Sequence, residues 1–275
     1  MVTYIQNGVR LLKKAILTVI AVLTSVVLFA GCQAEKGGSA KGQSEKVQIT
    51  VSAAASLKDV LTELSSVYEK DHPNVSIKFN FGSSGALQQQ IEQGAPADLF
   101  FSAAEDKFNR VVDQGLIDKK DSVKLVENSL VLIVPKGKSQ HVNSFKDLAD
   151  DKVEKIAIGK PESVPAGKYA KETLTNLDVW SKVQSKVVYS KDVRQVLSYI
   201  ETGNADAGIV YRTDALSSDQ VETVETAKSD LHTPIVYPLG IVKNTKHREQ
   251  SEEFYQFLQS DQAVKAMEKY GFKKG

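Results

Sequence analysis

One cysteine in 275 residues leaves no room for an internal disulfide framework or a multi-cysteine metal site. The four histidines, His72, His141, His232 and His247, are scattered and form no His-Glu-x-x-His pair, which argues against a zinc enzyme. Basic charge is not in excess: 35 Lys and Arg stand against 34 Asp and Glu, so bulk electrostatics do not draw the chain to nucleic acid. There is no Gly-x-Ser-x-Gly or Ser-x-x-Lys to activate a serine nucleophile. There is no phosphate-binding Gly-x-x-x-x-Gly-Lys-Ser/Thr, and no repeat with a period of about 20–50 residues. What is present is an ordinary globular balance, 41% hydrophobic and 25% charged, enough to bury a real core.

The N-terminal stretch reads as a targeting segment. Arg10, Lys13 and Lys14 precede Ala15–Ala30, a run of 16 uncharged, mostly apolar residues that is short for a membrane span and suits a signal peptide. Leu28-Phe29-Ala30-Gly31-Cys32 resembles a bacterial lipobox, which implies cleavage after residue 31 and a diacylglycerol on Cys32; a plain secretory signal is the alternative. Removal of residues 1–31 leaves 32 Lys and Arg against 34 Asp and Glu, a net charge of −2. Gln33–Lys46 has almost nothing apolar to bury and reads as a flexible tether of about 20 Å reach.

From Val47 onward strands alternate with helices. Val47–Ala54, Val75–Phe81, Ala97–Ser102, Ser129–Pro135, Lys155–Ile158, Lys186–Tyr189, Ala207–Tyr211 and Ile235–Val242 carry strand patterns. Helical spacing recurs from Ser56, with Asp59 completing a capping box, and over Ala86–Gln93, Glu105–Gln114, Pro165–Asn176, Asp192–Thr202, Glu249–Gln259 and Gln262–Tyr270. This order predicts an α/β protein of two lobes, each with a mainly parallel sheet flanked by helices. Residues 47–128 with 236–275 are expected to form lobe 1 and residues 129–235 lobe 2, joined by a hinge of two crossings.

Four places combine a strand end, a small-residue turn and a helix start: Ala53–Ser56, Gly82–Gly85, Val164–Gly167 and Lys191–Val193. Helix starts present unpaired N–H groups and the positive end of the helix dipole. Small residues let a ligand approach that backbone, and serine hydroxyls add donors. Several such turns meeting at the carboxyl edges of strands would hold an anion without a formal positive charge. Each turn also has a purely structural reading: Ser56 as a helix cap, Gly82–Gly85 as a turn, Pro165 as a helix start, Tyr211 as a strand-end aromatic.

The segments Val51–Leu57, Gly94–Phe100, Val164–Lys171, Asp192-Val193-Arg194, Gly208–Tyr211 and Tyr270-Gly271-Phe272 together resemble the molybdate-binding proteins of bacterial ABC importers, from about Val47 to the end of the chain. Ala-Pro-Ala-Asp-Leu-Phe is widespread among solute-binding proteins; Ala-Ala-Ser-Leu with Val-Pro-Ala-Gly and Asp-Val-Arg is the specific combination. The resemblance implies a type II periplasmic binding protein fold and a site of Ser56, Ser84, Ala166, Val193 and Tyr211. These residues would hold the metal as its tetrahedral oxyanion, molybdate or tungstate, with Ser83 a candidate for the second hydroxyl in place of Ser84. It implies no enzyme activity, no catalytic residue, no further cofactor, a monomer, and a permease and ATPase on separate chains. A same-fold receptor for sulfate or phosphate is the alternative. Arg194 is expected to pair outside the cavity, Trp180 to pack, Asp98 to cap or pair near its strand, and His72 to sit in a surface loop.

Overall fold

The computed structural model describes residues 46–275. The expected signal segment 1–31, the expected lipidation at Cys32 and all but the last residue of the expected tether lie outside the described residues. The first run of elements is β1 (Val47–Ala54), a 3₁₀ turn (Ala55–Leu57), α1 (Lys58–Asp71), β2 (Val75–Gly82), α2 (Ser84–Glu92), β3 (Leu99–Phe101), α3 (Glu105–Asp113) and β4 (Ile117–Glu127). The second is β5 (Leu130–Pro135), β6 (Ile156–Gly159), α4 (Pro165–Asn176), α5 (Trp180–Val183), β7 (Val187–Ser190), α6 (Val193–Glu201), β8 (Ala207–Tyr211), α7 (Arg212–Leu216) and β9 (Val221–Thr226). The chain closes with β10 (Val236–Val242), α8 (Arg248–Leu258), α9 (Asp261–Lys269) and β11 (Lys273–Lys274).

Two sheets result, in the orders β11-β4-β10-β3-β1-β2 and β7-β6-β8-β5-β9, each flanked by helices. Both are mixed and not mainly parallel. Strands joined by helical crossovers are parallel, β1 with β2 and β3, and β6 with β7 and β8. Strands next to the segments that pass between the sheets run the other way: β10 against β3 and β4, β5 against β8 and β9. A strand entering from the neighbouring lobe without a crossover helix arrives from the opposite end.

The parallel pairs place the turns. Ala54 lies opposite Gly82, so the loops after β1 and β2 leave the first sheet side by side. Gly159 lies opposite Ser190, so the loops after β6 and β7 leave the second sheet together. The strands behind them are deeply buried: every residue of β10, and all of β5 except Pro135, is inside. Pro238 in β10 has no N–H for the ladder, and the register with β4 shifts at Tyr237/Pro238 to accommodate it. Among the described residues no helix is long and apolar enough to cross a membrane.

Candidate functional site: a cavity of uncharged donors

The four turns converge. Ala54, Ala55, Ser56, Gly82, Ser83, Ser84 and Ala103 of the first lobe face Val164, Pro165, Ala166, Asp192, Val193 and Tyr211 of the second across one small cavity. Its empty space, mouth included, is about 210 Å³. Ser56, Ser84, Ala166, Val193 and Tyr211 are thus brought together, and Ser83 joins them. Among the described residues no lysine or arginine lines it.

Ser56 does not cap a helix. It sits in the 3₁₀ turn between β1 and α1, and the N-cap position of α1 falls to Leu57, which makes no side-chain cap. Its Oγ lies 2.9 Å from the hydroxyl of Tyr237, and Asp59, expected to complete the box, pairs with Arg194 instead. Ser84 opens α2, and its Oγ accepts the N–H of Ala103 at 2.8 Å. An N–H can only donate, so the Ser84 proton remains for another acceptor. Ser83 is the N-cap residue of α2 and makes no cap bond.

Ala166 is the second residue of α4 and Val193 the first of α6, so their N–H groups belong to the first turns, where helices leave donors unpaired. Asp192 caps α6 by accepting the N–H of Gln195 at 2.9 Å. α4 approaches β6 so closely that a Cβ on Gly167 would fall 1.8 Å from the carbonyl oxygen of Gly159. Only glycine fits there.

Tyr211 ends β8 and is 1% exposed. Its hydroxyl is buried with no hydrogen-bond partner among the described residues. Burial, reinforced by nearby Tyr237, Tyr169 and Asp214, pushes that hydroxyl well above the usual tyrosine range, so it stays a neutral donor.

The loop glycine Gly85 does not open its N–H to the cavity. That N–H donates to the Ser163 carbonyl of the other lobe at 2.9 Å, and a Cβ there would lie 2.6 Å from the same oxygen. Arg194 turns away from the cavity. It pairs with Asp59 of the first lobe, lies 2.9 Å by Nε from Asp214 Oδ1, and donates to Ser217 at 2.8 Å. Asp98 accepts from the N–H of Thr50 and the hydroxyl of Thr245, and Trp180 packs partly buried with Lys171 over its ring. His72 stacks on Tyr68 at the end of α1.

Sequence reasoning missed Tyr237, Asn128, Ser163 and Ala103. Tyr237 is 181 positions from Ser56, and nothing in its own segment, Val-Tyr-Pro, signals a hydroxyl behind a turn. A larger hollow lies between Lys138, His141, Lys152 and Asp206, away from the four turns. Among the described residues no group of three His, Cys, Asp or Glu is placed to hold a metal ion.

Residues 49–273 match the family model of bacterial extracellular solute-binding proteins. The "Putative ABC transporter substrate-binding lipoprotein YvgL" of Bacillus subtilis is 60% identical over 92% of this chain and 96% of its own. The molybdate-binding protein ModA of Haemophilus influenzae is 38% identical over 91% of this chain and 96% of its own. Among solved structures, the periplasmic molybdate-binding protein of Azotobacter vinelandii superposes with a TM-score of 0.76 at 26% identity, covering 82% of this chain and 99% of that one. The chain belongs to the bacterial extracellular solute-binding proteins, as a binding component of transport and not an enzyme.

Proposed function

We propose that this protein captures molybdate, and tungstate alongside it, for an ABC importer. The observation that carries this reading is the buried, unpartnered Tyr211 hydroxyl facing a cavity walled by Ser56, Ser84 and two helix starts, without a cation. An oxyanion without protons only accepts hydrogen bonds, and these groups can supply donors on several sides. Hydrogen bonds to a charged group are each worth roughly 1.5–3 kcal/mol net. Five would total on the order of 8–15 kcal/mol, from which ordering and desolvation subtract. Micromolar to nanomolar affinity needs about 8–12 kcal/mol, so the donor set suffices. The likeness to relatives named for molybdate supports the same choice of ion. Sulfate matches the same donors and differs in size; tungstate and molybdate are too alike to separate.

In this reading residues 47–128 with 236–275, and residues 129–235, are lobes that close on the ion by hinge bending. The closed form docks on a permease whose ATPase is a further chain. The receptor acts as a monomer without an added cofactor, and a lipid on Cys32 holds it at the outer face of the cell membrane. Calorimetric titration with molybdate, tungstate, sulfate and phosphate tests the ligand. Molybdate and tungstate should bind alike, sulfate more weakly, and phosphate weakest. Tightest binding of sulfate or phosphate, or no binding at all, overturns it. In cells, Cys32→Ser should move the protein from membrane to soluble fractions; unchanged partitioning refutes the anchor.

A further inference from the structure

We infer that Tyr237 and Asn128 are positioning residues that fix the direction of the Ser56 hydroxyl, and so set the site against anions that still carry a proton. The inference rests on the reading that Ser56 meets the ligand. Asn128 lies where the chain first passes between the sheets. Its Oδ1 accepts the N–H of Ser129 at 2.8 Å, which fixes the orientation of the amide. Its Nδ2 donates to Thr213 Oγ1 at 3.0 Å and to Tyr237 Oη at 3.2 Å. Tyr237 is fully buried, its ring packed edge-on to Phe101, Phe272 and Tyr211.

The phenol has one proton to place, Ser56 Oγ lies 2.9 Å away, and either oxygen could donate across that contact. The nearby Tyr211 hydroxyl has no hydrogen-bond partner of good geometry among the described residues. If Ser56 donated to Tyr237, the tyrosine proton would be buried without an acceptor, which folded proteins avoid. The order is therefore Asn128 to Tyr237 to Ser56, and the Ser56 proton is left for the cavity. Ser84 reaches the same state by a different route, because the Ala103 N–H occupies its acceptor side. Asp192, the acidic side chain at the cavity, gives Oδ1 to the N–H of Gln195 as the cap of α6. Both hydroxyls are thus held as donors. A deprotonated tetrahedral oxyanion finds a match in both hydroxyls, while the O–H of a hydrogen phosphate aimed at either one meets a donor. Removing the tyrosine oxygen would let Ser56 turn and accept.

The test is a double-mutant cycle read by titration with molybdate and by competition with phosphate. Tyr237→Phe should weaken molybdate about fivefold, the worth of one net hydrogen bond, and narrow the preference for molybdate over phosphate. In a Ser56→Ala background the same change should do neither. An equal loss in both backgrounds marks a merely structural tyrosine and overturns the inference, as does unchanged affinity and preference in Tyr237→Phe alone. Asn128→Asp turns the donor end of the relay into an acceptor, so it should reverse the order and shift preference in the same direction; an unchanged ratio there counts against it, and this variant carries the test if Tyr237→Phe does not fold. Wild-type protein that ignores molybdate but binds sulfate overturns the proposed ligand and leaves the cycle to be run with sulfate. Wild-type protein that binds no tetrahedral anion overturns both.

Discussion

Tyr211 carries a buried hydroxyl with no hydrogen-bond partner among the described residues. A buried unsatisfied donor costs about 1–3 kcal/mol, so its presence is explained best by an acceptor that arrives later. Tyr211→Phe should therefore weaken oxyanion binding tenfold or more, about 1.4 kcal/mol, without lowering the unfolding midpoint of the empty protein. Ser102→Ala should do the reverse, because Ser102 bonds Ala104 at 2.8 Å and lies off the cavity. Calorimetry beside urea unfolding checks the pair; loss of stability in Tyr211→Phe with full affinity would remove the tyrosine from the site. The residues at strand-to-helix turns were readable in sequence because small residues, a serine and a helix start fall within a few positions. Ser56 as a cap was the misreading: local spacing proposed a bond to its own helix, and a tyrosine from a distant strand took the hydroxyl instead. Gly85 likewise meets a carbonyl of the other lobe, a contact that no local window contains.

At the scale of elements, α4 and β8 have the bounds the sequence predicts, Pro165–Asn176 and Ala207–Tyr211. The proline start fixes one, and an apolar run between turn residues fixes the other. β4 and β9 escaped notice because they carry Asp, Lys and Glu and are half-buried or exposed along most of their length. Their strand character comes from pairing with β10 and β5, which no local window contains. α4 also shows how an element delivers a site. Its first turn lies against Gly159, and that contact sets where the N–H of Ala166 points. Gly167→Ala should force the helix off β6, costing about 1–3 kcal/mol in unfolding free energy and weakening the anion as well. An alanine variant with an unshifted urea midpoint and full affinity would show that the close approach is dispensable.

Across the whole molecule, contacts between lobes cluster around the cavity. Gly85 bonds Ser163, Lys107 reaches the Glu162 carbonyl at 3.1 Å, Lys168 lies 3.3 Å from Asp106, and Arg194 pairs with Asp59. The exposed Lys168–Asp106 pair contributes little. Arg194 differs because its other side rests on Asp214, which is fully buried. Burial pushes the Asp214 carboxyl from 3.8 up to about 7, against the pull of Arg194. Between those values the native state keeps a proton that the unfolded chain has shed. Stability from this group is thus full at low pH and falls as pH rises towards 7, by a few kcal/mol at most. Asp214→Asn should flatten that part of the profile, measured by urea unfolding at stepped pH from 4 to 8. A parallel slope in the variant would assign the dependence to other groups.

Asn128 stands in the short link between β4 and β5, one of the two chain passages between the sheets, and its amide reaches Thr213 on one side and Tyr237 on the other. A twist at that link would swing the amide before it disturbed either sheet. The Ser56 proton would then lose its aim at the start of opening, while the walls still stood close. If the lobes close on the anion as proposed, grip and hinge would slacken as a single event, and cargo could leave without any competing ion to drive it out.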